Sequence, residues 1–255
     1  MSTPTVEQEP YIWKEGTKYD IEYGYFVSKK YFNETMHQVY MTCEVSINLV
    51  KKEYFIDFID DWYRIKHPHI IPLEDAWHST KKSNMGWVTK DYVKLFDKYP
   101  EITNISKKLK RKWCAQLLSA LKYVNSINNW EAQNLCGDFI YLDTADNIKL
   151  GGLVIFYKGI YKNISDIDFT ISKRLLQYTN KTYIWLWAYI TIGIIANKFC
   201  YSKQRKKDTM LSIGSGILPE EVESVTDLII KDFLKRCLLY TFEPDMEEVY
   251  QIFGI

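Results

Sequence analysis

The amino-acid sequence predicts an α+β fold made of a small, strand-rich part followed by a larger, mainly helical part. Short apolar segments separated by turns fill the first third of the chain, with the spacing of antiparallel hairpins. Apolar residues recur at helical spacing over most of the remainder. With 255 residues, the chain is long enough to bury one large core or the cores of two lobes.

The strand-rich part is predicted to be a sheet with one helix inserted. Strand-forming residues predict β-strands at 11–13, 21–27 and 39–47, with a turn at Asn33-Glu34-Thr35. A helix is expected after the third strand, where apolar residues recur every three or four positions: Phe55, Ile59, Trp62 and Ile65. The sequence Lys66–Pro72 breaks this helix. Two further strands are expected at 74–77 and 86–92.

The helical part begins with a long amphipathic helix. Its apolar face consists of Trp113, Leu117, Ala120, Leu121 and Val124, with Lys112, Ser119 and Lys122 opposite. A polar turn at 143–147 separates two apolar segments, which predicts a hairpin with strands at 139–142 and 148–150. Three more helices are expected at 183–196, 226–238 and 245–253.

The run 183–196 is apolar on all sides but shorter than the ~20 residues that span a bilayer. A helix buried at the centre of a helical lobe explains it, so no membrane span is predicted. The net charge of +1 argues against a general electrostatic attraction to nucleic acid. The N-terminus has no signal-peptide pattern. Five dispersed cysteines without C-x-x-C pairs suit reduced thiols in the cytoplasm.

The strongest motif begins at Lys112. Residues 112–126 read Lys-Trp-Cys-Ala-Gln-Leu-Leu-Ser-Ala-Leu-Lys-Tyr-Val-Asn-Ser, and Ala132–Leu142 and Ile148–Leu153 follow. This order resembles the catalytic segment of a protein kinase, W-C-x-Q-L-L-x-x-L-x-Y-L-H-S, then H-R-D-L-x-x-x-N and V-K-I-G-D-x-G. The helix residues match, whereas the reactive residue types are absent. The chain therefore resembles a degenerate kinase, a pseudokinase with a bilobal fold.

Further segments narrow this resemblance. Met41–Val45 is similar to the third strand of the with-no-lysine kinases, A-W-C-E-L, in which cysteine replaces lysine. Ser215–Pro219 resembles their S-G-V-K-P, and Lys231–Leu238 resembles their late helix. At the position of the H-R-D aspartate the chain has Asn134, and in this it resembles the nuclear-receptor-binding-protein pseudokinases. The resemblance implies a flexible N-terminus at 1–10 and one pseudokinase domain at 11–255, with a small lobe at 11–92 and a large lobe at 93–255.

The resemblance also identifies the positions at which catalytic groups are missing. Phosphoryl transfer needs a cation on the phosphates, Mg²⁺ held by oxygen ligands, and a carboxylate facing the acceptor hydroxyl. Cys43 stands at the strand-three lysine, and it is too short and uncharged for that role. Phe58 stands at the glutamate that would pair with the lysine. Asp57 and Asp60 project from other faces of the helix and are expected to be solvated.

The metal and proton-accepting positions are degenerate as well. Ala132-Gln133-Asn134 replaces H-R-D, and the amide of Asn134 cannot accept a proton at neutral pH. Phe139 stands at the Mg²⁺-binding asparagine, and Gly152 at the D-F-G aspartate. Neither side chain offers Mg²⁺ an oxygen ligand. In place of a glycine-rich loop, Tyr23–Val27 has a single glycine among bulky aromatic residues.

Other candidates are structural. Kinases join the A-P-E glutamate to an arginine before the last helix. The alignment places Arg174 and Glu243 at these positions, which predicts an ion pair of swapped polarity. His67 and His69 flank Pro68 in what resembles the H-P-N turn, where turn capping is expected. Thr89, at the position that gates the nucleotide pocket, is expected only to pack.

The basic runs 107–112 and 203–207 are expected to be solvated faces, with acidic partners or nuclear import as alternatives.

The family resemblance implies a catalytically inactive adaptor or scaffold that binds proteins in intracellular signalling or trafficking. It implies no catalytic, cofactor or metal residues, no nucleic-acid partner, and no bound ATP or Mg²⁺. Location in the cytoplasm is expected, with the nucleus as an alternative. Two other functions stay open: a nucleotide-binding inactive switch, and an atypical serine/threonine kinase. The kinase would use relocated groups, with Lys29 or Lys30 on the phosphates and Asp138 or Asp143 on the metal.

Overall fold

A computed structural model describes residues 18–19, 26–33, 38–46, 52–79, 84–99, 102–130, 135, 137–153, 157, 182–197, 215–239 and 242–255. These residues fall into two compact units. The first unit contains the described residues up to Lys66, those at 70–92, and residues 153 and 157. The second contains His67–His69, the described residues of 93–152, and those from 182 onward.

The first unit is an antiparallel sheet with one helix. Its strands pair in the order β1-β2-β3-β5-β4. Their bounds are Lys18–Tyr19 (β1), Phe26–Asn33 (β2), Gln38–Ser46 (β3), Asp75–Ser79 (β4) and Asn84–Lys90 (β5). Helix α1 spans Lys52–Arg64, between β3 and β4. The sequence of strands, one helix and two strands is the predicted one, although the first predicted strand, 11–13, lies outside the described residues.

Strand β2 continues beyond the strand predicted at 21–27. Residues 21–25 lie outside the described residues, and β2 runs from Phe26 to Asn33 and includes two lysines. Its register explains the extension, since every residue from Phe26 to Asn33 pairs with β3, ending at Asn33 opposite Gln38. Ladder hydrogen bonds use the backbone, so a polar stretch can continue a strand when its partner strand continues.

Helix α1 buries one side against this unit. Its buried side chains recur at the expected helical spacing, and they are Phe55, Phe58, Ile59 and Trp62. Trp62 Nε1 donates a hydrogen bond of 2.9 Å to the carbonyl of Ile71, which satisfies the only polar atom of the indole. A glutamate in the first turn and an arginine in the last suit the helix dipole.

The second unit is mainly helical. Its helices are α2 (Leu95–Lys98), α3 (Lys107–Ser126), α4 (Thr182–Ala196), α5 (Leu228–Leu238) and α6 (Met246–Phe253). Short 3₁₀ turns occur at Ile102–Asn104, Gly137–Phe139 and Glu220–Ser224. A three-stranded antiparallel sheet has the order β6-β7-β8, with bounds Val93–Lys94, Ile140–Leu142 and Ile148–Leu150. The predicted hairpin is therefore present.

The core of the second unit forms around α3 and α4. Every residue of the predicted apolar face of α3, from Trp113 to Val124, is fully buried. Trp187 of α4 donates from Nε1 to the carbonyl of Cys114 at 2.7 Å. The Trp187 ring packs against Phe233 of α5 and Phe253 of α6, each with a centroid separation of 6.1 Å. The prediction that 183–196 forms a buried central helix is confirmed.

Side chains cap the helices of this unit. Ser106 accepts a hydrogen bond from Leu109 N at the start of α3. Asp227 and Asp245 do the same at the starts of α5 and α6. Gly254 ends α6 with φ of 65°, a left-handed conformation that glycine adopts without strain. These caps satisfy backbone groups that a helix end leaves unpaired.

Two cysteines of this unit are free and fully buried, Cys114 and Cys237. Burial raises the pKa of each thiol to about 12. The thiols therefore stay protonated and unreactive at neutral pH, because the thiolate is the nucleophile. No helix in the described ranges combines the length and the apolar character needed to cross a bilayer.

Candidate functional site

Cys43 lies in the middle of β3. The backbone register places it between Ser28 of β2 and Trp87 of β5. The residue opposite it on β2 is therefore a serine. Lys29 and Lys30, the candidates for a relocated cation, pair instead with Thr42 and Met41.

Phe58 lies at the centre of an aromatic cluster in the first unit. The cluster consists of Phe55, Phe58, Trp62, Trp87 and Tyr157. The ring of Phe58 lies 5.4 Å from Trp62, 5.9 Å from Trp87 and 5.6 Å from Tyr157, measured between centroids. Its side chain has no exposed surface. The position that the kinase resemblance assigns to a paired glutamate is therefore apolar and enclosed by rings.

Tyr157 completes this cluster and was not predicted from the sequence. Burial, together with the nearby carboxylates of Asp61 and Asp57 and a hydrogen bond to Asp61, raises the pKa of Tyr157 to about 12. Its hydroxyl therefore stays protonated and directs its proton toward Asp61. Asp57 and Asp60 are exposed, so the prediction that they form a solvated face of α1 is confirmed.

In the second unit, α3 positions the β7–β8 hairpin. Trp113 Nε1 donates to the carbonyl of Asp146 at 2.8 Å. The side chain of Gln116 makes two hydrogen bonds, donating to Asn147 Oδ1 at 3.0 Å and accepting from Ile148 N at 2.9 Å. Two of the residues that the kinase motif matched, Trp113 and Gln116, thus act together to fix this hairpin.

The hairpin brings Phe139 and Gly152 into contact. These are the two positions that the resemblance assigns to the protein ligands of Mg²⁺. Gly151 N donates to the carbonyl of Phe139 at 2.8 Å, and Gly152 has φ of 63°. A Cβ atom at Gly152 would lie 2.1 Å from Cδ1 of the Phe139 ring. The ring therefore occupies the space that the side chain of an aspartate at position 152 would need.

The nearby acidic groups have other partners. The Asp143 carboxylate accepts hydrogen bonds of 2.9 Å from Ala145 N and Asn147 N and also contacts the Asn147 amide. Burial opposes ionisation of this carboxyl, but the hydrogen bonds outweigh it and lower its pKa. Asp138, with a side chain 58% exposed, pairs with Lys94 at 3.3 Å. In the described ranges, no three acidic, histidine or cysteine side chains form a potential metal site.

Two predicted site residues lie outside the described residues, Asn134 and Arg174. The ion pair of Arg174 with Glu243 therefore stays a prediction. Glu243 accepts a hydrogen bond of 2.7 Å from the Tyr183 hydroxyl. Burial and this bond to a carboxylate raise the pKa of Tyr183.

The segment His67–His69 is held within the second unit by hydrogen bonds of both side chains and backbone. His67 Nδ1 accepts from His69 N at 3.2 Å, so the neutral ring carries its proton on Nε2 and donates it to Ser119 Oγ at 3.1 Å. Leu150 N donates to the carbonyl of His69 at 2.8 Å. Lys149 Nζ donates to the carbonyl of Pro68 at 2.6 Å. The structure thus confirms the predicted turn-capping role of His67.

Protonation of His67 should destabilise the fold. Burial, then the charges of His69 and Lys149, lower its pKa to about 4, and burial also lowers that of His69. In the unfolded chain both rings titrate near 6.5. The unfolded state therefore binds more protons, and stability should fall as the pH drops from about 6.5 to about 4. Urea unfolding across this range should show the loss. His67→Gln should reduce it, and an unchanged pH dependence in that variant would contradict this role.

Comparison with known proteins gives the fold. No protein-family model and no curated protein matches the chain. A solved structure of Rad53 residues 1–466 in complex with AMP-PNP matches with a TM-score of 0.65 and 16% identity. The match covers 94% of this chain but 64% of the Rad53 chain. The chain thus has a protein kinase-like fold, and the predicted α+β class is confirmed. At this identity the likeness shows the fold alone.

Proposed function

We propose that this protein is a pseudokinase, a kinase-like fold that does not transfer phosphate and that acts as an adaptor or scaffold for proteins. The observation that carries the proposal is the contact of Phe139 with Gly152. Mg²⁺ needs oxygen ligands in near-octahedral geometry. The side chains at these two positions are a phenyl ring and a hydrogen atom, and neither carries oxygen. The residues present therefore do not fit the metal of a kinase.

The first unit supports the same proposal. A kinase pairs a strand-three lysine with a glutamate on the helix, and this pair positions the nucleotide phosphates. Here those positions hold Cys43 and the fully buried Phe58. Replacing a buried ion pair with well-packed apolar residues is often neutral or stabilising, so the change favours the fold while removing the chemistry.

The alternative of relocated catalytic groups is less well supported. The Asp143 carboxylate accepts a backbone hydrogen bond from the turn that it caps, and Asp138 forms an ion pair with Lys94. Sequence motifs shared with the with-no-lysine kinases and the nuclear-receptor-binding-protein pseudokinases agree with a signalling or trafficking adaptor in the cytoplasm. The proposed lobes are 11–92 and 93–255, preceded by a flexible segment at 1–10.

A thermal-shift titration with ATP, with and without Mg²⁺, separates the proposed functions. The pseudokinase proposal predicts no change in melting temperature in either condition. A shift with ATP alone would favour the nucleotide-binding switch. A Mg²⁺-dependent shift, with phosphate transfer to a generic substrate that disappears in Asp138→Ala or Asp143→Ala, would favour the atypical kinase. Asp57→Ala is a matched control, because Asp57 is exposed on α1.

A further inference from the structure

One surface of the second unit exposes apolar side chains to water. Leu228 and Ile229, in the first turn of α5, are 74% and 67% exposed, more than any other large apolar side chain in the described ranges. Exposed apolar surface of this kind is buried favourably against a partner. Two adjacent apolar residues at a helix start therefore indicate a contact surface.

This apolar pair is held on a fixed frame. Oδ1 of Asp227 accepts from Ile229 N at 3.1 Å and from Ile230 N at 3.2 Å, which caps α5. Oδ2 of Asp227 accepts from Arg111 Nη2 of α3 at 2.8 Å. Arg111 also donates to the carbonyl of Phe253 at 3.3 Å. The start of α5 is thereby tied to α3 and to the end of α6, and a fixed surface loses little entropy when it binds.

The same corner carries positive charge on α3. Lys107 and Lys108 precede Arg111 by four and three residues, so they lie on the same side of the helix, about one turn earlier. Both are exposed. The first turn of α3 has no acidic residue, and lysines at a helix N-terminus add to the positive end of the helix dipole. This arrangement is unfavourable for the helix alone, and an acidic partner would relieve it.

Acidic residues near this corner are engaged within the protein. Asp227 bonds Arg111, Glu223 pairs with Lys231 and Lys235, and Asp232 pairs with Arg236. Lys110, although it belongs to the same basic run, is buried and bonds Asn197. Lys107 and Lys108 are therefore the exposed lysines of the run, about one helical turn before the arginine that bonds the start of α5.

We propose that this basic–apolar corner, defined by Lys107, Lys108, Arg111, Leu228 and Ile229, binds an acidic peptide segment of a protein partner. The inference rests on the proposed adaptor function and specifies the partner chemistry. Apolar side chains of the segment cover Leu228 and Ile229, while its carboxylates face the two lysines. A protein segment fits better than an anionic membrane, because the chain has a net charge of only +1 and the apolar area is small.

Selection from a random peptide library displayed on phage, followed by fluorescence anisotropy with the selected peptides, tests this inference on the whole chain. The selected peptides should be enriched in Asp and Glu together with Leu, Ile or Phe. Lys107→Glu/Lys108→Glu and Leu228→Ser/Ile229→Ser should each weaken their binding by about tenfold or more. Binding should also weaken at higher salt. Tyr63→Ser/Lys66→Glu, an exposed pair on the first unit, is the matched control and should leave binding unchanged.

Because all four substituted corner residues are exposed, the melting temperature of each variant should match the wild type. Recovery of no acidic peptides, or equal binding by the wild type and both corner variants, would overturn the inference. So would corner-dependent binding of phosphatidylserine vesicles in place of peptides. These results leave the pseudokinase proposal standing. Conversely, Mg²⁺-dependent phosphate transfer would refute that proposal without affecting peptide binding.

Discussion

Phe58→Glu, which introduces the residue type that the kinase resemblance predicts at this position, should unfold the first unit or destabilise it by at least about 4 kcal/mol. Removing a buried phenylalanine alone costs roughly 3–5 kcal/mol. A carboxylate in the same place would also lose its hydration among four aromatic rings without a cation to pair with. Both effects act in the same direction.

Urea unfolding followed by tryptophan fluorescence measures this effect, because Trp62 and Trp87 belong to the aromatic cluster. Phe58→Leu keeps an apolar side chain and should cost less than about 1.5 kcal/mol. Ile56→Glu introduces the same charge two residues away, at a side chain 44% exposed, and should change stability by about 0.5 kcal/mol or less. A Phe58→Glu protein as stable as the wild type would show that the aromatic cluster does not enclose this position.

Gly152→Asp should destabilise the second unit by roughly 2–5 kcal/mol. Any side chain at this position meets a backbone with φ of 63°, which costs residues other than glycine about 1–2 kcal/mol. Its Cβ would also overlap the Phe139 ring, and overpacking of this kind adds roughly 1–3 kcal/mol. The aspartate that the kinase resemblance predicts at position 152 therefore conflicts with the present packing.

A double-mutant cycle separates these two causes. Gly152→Ala should share most of the cost of Gly152→Asp, since the clash begins at Cβ. The double variant Gly152→Ala/Phe139→Ala should cost clearly less than the sum of the two single changes. Without the Phe139 ring there is no clash, so the Gly152→Ala change then adds only its backbone strain. Chemical denaturation of the four proteins gives the coupling energy. Strict additivity would indicate that the two residues do not touch.

Local sequence patterns predicted the elements that build the core. The apolar face of α3 was identified from its helical spacing and is fully buried, and α4 was identified as a continuous apolar run, most of whose side chains are buried. The β7–β8 hairpin followed from a polar turn between two apolar segments. These features depend on residues close together in the sequence, and local patterns report them directly.

Long-range contacts could not be predicted in this way. Tyr157 joins Phe58 from almost a hundred positions away, and Arg111 reaches Asp227 across an even longer separation. The inward turn of Lys110, within a run predicted to be solvated, also depends on a distant partner, Asn197. The proximity of Phe139 and Gly152 could be expected only from the family resemblance, which assigned both positions to one metal site. The register of β2 depended on its partner strand.

Binding of manganese with ATP, measured by electron paramagnetic resonance, tests the central claim most directly. Mn²⁺ takes the same oxygen ligands as Mg²⁺. The resonance signal of Mn²⁺ that is not bound to protein falls when a protein binds the metal–nucleotide complex. The contact of Phe139 with Gly152 in the second unit and, separately, the burial of Phe58 in the first predict that the spectrum of Mn²⁺ with ATP is the same with and without this protein. A saturable loss of signal that disappears in Asp138→Ala or Asp143→Ala would contradict it.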